Sequence, residues 1–299
     1  MNTPRQVQAE QPVLYSSETI AKENGRVVFN LQTGVRHRGF RVKSAVSEIK
    51  PVPCRRCVVL LYHRLTPGPA RQRYEVSWVQ ARRHWQELAH RGAGARSLRT
   101  LWGLAGPHKP QPGQLCFALS FDDGSDSDFQ AAQWLSDLGW RATFFVNASQ
   151  LGKPGYLAWS QVRELAAAGF EIGSHGVDHV ALTRLLRTQL EFQILASKHR
   201  LEDYLGEKIV FFAAPFGAWH SLLLETVEQY GYHGLAISRP TPAMSGAFLI
   251  PRYGIRRNMR TQQVVQLVQG GRLRVQEYVR GRGMHIWRSW RQGACAGNW

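Results

Sequence analysis

The sequence predicts an α/β fold with a mainly parallel sheet, and three observations carry that prediction. From Leu115 onward, short apolar or aromatic runs alternate with segments whose apolar residues recur at i, i+3, i+4 and i+7. Glycines close the helical segments, as Gly139, Gly169 and Gly206 do. With 299 residues, 43% of them hydrophobic and 11% aromatic, the chain can bury a sizeable core between such layers. An open doubly wound sheet and a closed barrel both fit this alternation.

Residues 1–50 are polar and weakly patterned, with strand-like pieces at 26–30 and 40–43, and read as a mobile or loosely docked arm. Pro51 and Pro53 punctuate the chain. Val58-Val59-Leu60-Leu61-Tyr62 then has the apolar, β-branched character of a buried strand. Trp78, Trp85 and Leu88 lie on a helical period that closes at Gly92, and the prolines and glycines of 105–114 predict a loop. Strands follow at 115–121, 142–146, 170–173, 209–213 and 234–237. Between them fall helices carrying Ala131, Trp134, Leu135 and Leu138; then Trp159, Val162, Leu165 and Ala166; then Leu186, Leu190, Ile194, Leu201 and Leu205; and last residues 221–229. The expected organisation is an arm over 1–50, one domain over 51–258, and a basic C-terminal helix and tail over 259–299.

Charge is unevenly spread. The chain has 38 Lys plus Arg against 21 Asp plus Glu, a formal +17. Residues 1–100 hold 18 basic and 6 acidic side chains, residues 101–250 hold 10 and 14, and residues 251–299 hold 10 and 1. Basic flanks thus surround a mildly acidic centre. The flanks suit contact with an anionic surface, while nothing predicts a specific nucleic-acid partner. The segment Ile286-Trp287-Arg288-Ser289-Trp290-Arg291 interleaves aromatic residues with arginine and belongs to the same basic tail. No apolar run approaches the ~18–20 residues of a membrane-spanning helix, and no secretory signal is visible at the N-terminus. The expected location is the cytoplasm or the inner membrane surface. Cys54 and Cys57 form an isolated C-x-x-C without the second pair of a structural zinc site, and read as ordinary thiols entering a strand. No G-x-G-x-x-G or P-loop points to a nucleotide.

In parallel α/β folds reactive side chains collect where strands end. Four strand ends here carry unusual polar residues: Tyr62-His63-Arg64, Asp122-Asp123-Gly124, Ser174-His175 through His179, and Ala214-Pro215-Phe216-Gly217. Two histidines four apart plus one carboxylate can hold a divalent metal and leave positions open for water and substrate. The other carboxylate of an adjacent pair can then act as a base. The same ligand set also suits non-haem Fe(II), but the all-β scaffold usual for that chemistry does not match these βα units.

With these motifs in this order, the sequence resembles the NodB-homology polysaccharide deacetylases of carbohydrate esterase family 4. Leu119-Ser120-Phe121-Asp122-Asp123-Gly124 resembles the family's T-F-D-D-G motif, His175 to His179 its H-x-x-x-H motif, and Ala213-Ala214-Pro215-Phe216-Gly217 a divergent third motif. Ala142-Thr143-Phe144-Phe145-Val146 matches the strand between the first two, and the resemblance covers residues 58–255. The usual C-terminal Leu-x-His motif is missing. Tyr62-His63-Arg64 instead matches the early histidine of the subdivision resembling poly-N-acetylglucosamine deacetylases.

The resemblance implies a distorted (β/α) barrel and removal of N-acetyl groups from an amino-sugar polysaccharide or glycoconjugate. It implies that Asp123, His175 and His179 hold a divalent metal, Zn²⁺ in the first instance. Asp122 would be the base, His63 the general acid, and the Phe216 backbone N–H, beside Pro215, an oxyanion donor. The family's third motif often begins with an arginine that pairs with the catalytic aspartate. Ala213 stands there in this chain, so Arg252 or Arg64 is expected to take that place. Gly176 replaces the usual Ser or Thr that braces the histidine loop. Asp178 is a candidate partner of His179, and Asp126 and Asp128 are expected to favour a helix N-terminus. The alternative is a catalytically weak domain of this fold that binds an anionic polymer or membrane surface through its basic flanks.

Overall fold

A computed structural model of the chain describes residues 58–104, 115–238 and 248–270, the strand residues 20–23 and 26–29, and Gln276. The strand expected at 40–43, the loop at 105–114, Cys54, Cys57 and the Trp-Arg segment near residue 290 lie outside the described residues. Along the chain run β1 (Ile20–Glu23), β2 (Arg26–Phe29), β3 (Val58–Tyr62), β4 (Leu65–Thr66), β5 (Val76–Ser77), α1 (Trp78–His90), β6 (Gly94–Arg96), α2 (Leu98–Leu101), β7 (Cys116–Phe121), α3 (Ser127–Asp137) and β8 (Thr143–Val146). Then come α4 (Trp159–Ala167), β9 (Glu171–Ser174), α5 (Arg187–Leu205), β10 (Phe211–Ala213), α6 (Ser221–Gln229), β11 (Gly234–Ile237), β12 (Leu249–Pro251), β13 (Tyr253–Gly254) and α7 (Thr261–Gln269).

One sheet takes the order β12-β11-β10-β9-β8-β7-β3-β13, with β6 also on β7, and every pairing in it is parallel. The expected distorted barrel is therefore what the chain forms. Its end strands, β12 and β13, are consecutive in sequence with Arg252 alone between them. The Arg252 N–H bonds Ile237 on one side of the seam, and Ile255 N–H bonds Leu61 on the other. The barrel closes over that single residue.

Strand alternation sorts side chains into two layers. Leu60, Tyr62, Leu119, Phe121, Phe144 and Ile172 face the helices. Val59, Ala118, Phe145, Phe211, Ala213, Ala236 and Ile250 face inward, and α2 adds Leu98, Leu101 and Trp102 to this inner cluster. Gly173 is required by this packing, because a Cβ there would lie 2.5 Å from the Phe145 ring. Each fully buried large side chain contributes about 1.5–3 kcal/mol, so the two layers together hold the strand ends in fixed positions. The helix that begins beyond residue 258 differs from the expected basic one. Over Thr261–Gln269 it carries no charge, and it packs against α1 with Val264, Val265, Leu267 and Val268 buried.

Candidate active site

Strand register brings distant motifs to one mouth. Leu61 on β3 pairs with Ser120 on β7. Two residues further along each strand stand His63 and Asp122, on the inward side by the same alternation. Asp122 N–H bonds the Tyr62 carbonyl at 3.1 Å, which fixes this junction. His175 follows β9, and its amide bonds the Val146 carbonyl at the end of β8.

Asp123, His175 and His179 converge, with one ligand atom of each within 4.8 Å of the others. His175 Nε2 and His179 Nε2 lie 3.4 and 3.2 Å from the same oxygen, Asp123 Oδ1. That oxygen is buried and takes no hydrogen bond. His175 Nδ1 sits 2.8 Å from the Ala213 carbonyl, so its N–H donates there and its Nε2 lone pair faces the cluster. An orphaned carboxylate oxygen between two imidazole nitrogens suits a divalent cation. The backbone is shaped for this purpose. Among the described residues only Asp123, His179 and Phe216 have positive φ without being glycine, at 80°, 53° and 61°. All three lie in the site, as expected of strain held for function.

Asp122 stands beside the cluster and is held differently. Arg252 Nη1 and Nη2 donate to its two oxygens at 2.6 and 2.7 Å, and both side chains are buried. Arg252 also donates to Ser120 Oγ. Burial opposes charge on Asp122, but Arg252 and then His175 outweigh it and keep the carboxyl below its usual range. For Asp123 burial is likewise outweighed, here by the His175 and His179 imidazoles beside it, and its carboxyl is held low. Burial opposes the His175 imidazolium, but Asp122 and Asp123 raise its pKa overall. His63 is shifted the other way: desolvation lowers it despite the same two carboxylates. Its Nδ1 is buried without a partner, and its ring stacks on Tyr74 at 5.1 Å.

Of the two arginines expected to replace the motif residue, Arg252 meets Asp122. Arg64 instead donates to the Gly155 carbonyl and lies 3.9 Å from Asp126, partly exposed. Pro215 is buried. Phe216 is 57% exposed, its ring 4.7 Å from that of His179, and its amide has no backbone partner. Asp178 does not brace His179. It accepts from Gln193 Nε2 at 2.8 Å.

Gln193 was not among the expected residues. Its Oε1 accepts from the amides of Val177 and Asp178, so α5 holds the histidine loop where the Ser or Thr is lacking. Gly176 at φ 83° leaves that position to glycine, and a side chain there would crowd Gln193 Oε1. A polar residue between Leu190 and Ile194, on the apolar face of a helix, was the one signal for it. Asp128 also departs from expectation. It is fully buried with both oxygens unpartnered, and desolvation, then Asp123 and Asp122, push its carboxyl well up, so it does not act as an ionised helix-end charge.

A half-buried Asp-His-His cluster at the C-terminal mouth of a distorted parallel barrel defines a candidate metalloprotein of the (β/α)-barrel type. Residues 109–235 match the family model described as polysaccharide deacetylase. It is 28% identical over 186 residues to the YxkH protein of Bacillus subtilis, covering 62% of this chain and 65% of that one. It is 33% identical over 118 residues to a chitin deacetylase of Pestalotiopsis sp., covering 39% of each. The chain thus spans less than two thirds of the length of either curated relative. The structure of the deacetylase PplD of Streptococcus pyogenes superposes with a TM-score of 0.66 at 19% identity, over 73% of this chain and all of the other. That likeness extends the fold assignment across the barrel.

Proposed function

We propose that the protein is a metal-dependent N-deacetylase that hydrolyses the acetamide C–N bond of an N-acetylated amino-sugar chain. The observation that carries this reading is the division of labour between neighbouring carboxylates: Asp123 joins the two histidines, while Asp122 is withheld from them by Arg252. Asp123, His175 and His179 would hold a divalent ion such as Zn²⁺, which when bound would supply Lewis-acid polarisation of the acetamide carbonyl and a water of lowered pKa. Asp122, kept ionised by Arg252, takes the proton from the attacking water. The Phe216 N–H donates to the oxygen on which negative charge develops. The amine must leave protonated, and His63, facing the site across from Asp122, delivers that proton. The products are acetate and a free amino sugar. The position of His63 at the end of β3 supports the early-histidine subdivision and, with it, an N-acetylglucosamine polymer as substrate.

The test is acetate release from N-acetylated glucosamine oligosaccharides. Asp122→Asn should lower kcat by at least ~10²-fold, and His63→Ala by ~10²–10⁴-fold, the usual worth of general acid–base catalysis. Full activity in Asp122→Asn would remove the assigned base; full activity in His63→Ala would remove the early-histidine assignment.

A further inference from the structure

On the same face of the barrel lies a cleft of about 470 Å³ lined by Ser77, Val79, Gln80, Arg83, Arg257, Asn258, Met259, Arg260 and Thr261. Its lining contains three arginines and no carboxylate. The N–H groups of the adjoining helix starts do not make this an anion site by themselves. Ser77 Oγ caps the first turn of α1, and Gln263 Oε1 takes the Arg260 amide. The positive field therefore comes from the guanidinium groups. In βα units a helix begins at the end of the strand that carries active residues. α1 follows β3 and His63, and α7 follows β13 and Arg252. A run of contacts leads from the His63 ring to the cleft lining. The Tyr74 ring stacks on His63, Arg73 lies over that ring at 5.3 Å, and the Arg73 carbonyl accepts the Arg257 amide at 3.1 Å.

We infer that this cleft binds an anionic substituent, a phosphate or carboxylate, carried by the glycan whose acetamide reaches the metal site. The inference rests on the deacetylase reading and narrows its substrate to a charged glycan. Guanidinium groups suit oxyanions through paired donors, and exposed Val79 gives the sugar face an apolar contact beside them. Because the cleft is open, its attraction is screened by salt over about 10 Å at 0.1 M.

The probe is N-acetylchitotetraose with and without a phosphate ester, titrated calorimetrically into the full chain and into Arg83→Glu/Arg260→Glu. The phosphorylated probe should bind at least tenfold more tightly at low salt. That advantage should vanish in the double variant and shrink to an intermediate value in Arg83→Gln/Arg260→Gln, while kcat on the neutral probe stays unchanged. Equal affinity for the two probes, or an advantage retained in the charge-reversed variant, would overturn the inference. Sedimentation with phosphatidylglycerol vesicles that depends on both arginines, without preference for the phosphorylated probe, would reassign the cleft to a lipid surface and equally overturn it. Absence of acetate release from both probes counts against the deacetylase reading, whereas the binding comparison decides the cleft.

Discussion

Two buried carboxylates at opposite ends of the barrel each meet an arginine, with opposite results. At the mouth, Asp122 takes two short parallel bonds from Arg252, which is itself fully buried, and its carboxyl is held low. At the floor, Glu171 accepts from Thr143 Oγ1 and from the Arg99 amide, and Arg99 Nε lies 3.4 Å from its other oxygen. There burial wins and the carboxyl is raised. The Arg99 side chain is 37% exposed, so solvent screens it, while Arg252 has no solvent to share its charge with. A counter-charge holds a buried acid ionised when both partners are desolvated in bidentate geometry. A half-wet arginine ties a loop to the barrel instead.

Four substitutions test that contrast. Arg252→Met leaves Asp122 as a buried, uncompensated charge, and should destabilise the fold by about 3–5 kcal/mol in urea unfolding. Arg252→Lys should not restore it, since an ammonium cannot make two parallel bonds. His84 shows burial with no counter-charge at all. Fully buried against the Tyr62 hydroxyl, it has a pKa pushed down by desolvation from 6.5 to about 4. The unfolded chain therefore takes up this proton first. The penalty is absent above pH 6.5 and grows as pH falls toward 4, reaching about 3 kcal/mol. His84→Gln should reduce the acid-side loss of stability by that amount relative to wild type, followed by unfolding at each pH. Arg99→Ala should be the mildest, costing about 1 kcal/mol or less, with acetate release unchanged. An Arg99 effect as large as that of Arg252 would erase the distinction between floor and mouth.

The sequence made the repeating parts of this molecule legible and hid the singular ones. Strands such as Val58–Tyr62 and helices such as Trp159–Ala167 have enough residues to show a period. The elements that close the barrel do not: β6, β12 and β13 are two or three residues long, and α2 is a single turn. The cluster residues were readable because metal chemistry restricts both their types and their spacing. The partner of Asp122 was narrowed only to Arg64 or Arg252, because the contact joins residues 130 positions apart through a seam with no sequence pattern. Asp128 looked like a helix-end charge because its burial depends on how α3 packs beside β4, which local sequence does not encode.

The proposed deacetylation requires a metal held by Asp123, His175 and His179. Its most direct test is to strip the protein with a chelator and titrate it with Zn²⁺ while following acetate release from N-acetylchitotetraose. Stripped protein should release no acetate, and recovery should saturate near one ion per chain, with His175→Ala failing to recover. Acetate release that persists after stripping, or full metal occupancy at this cluster without release, would contradict it.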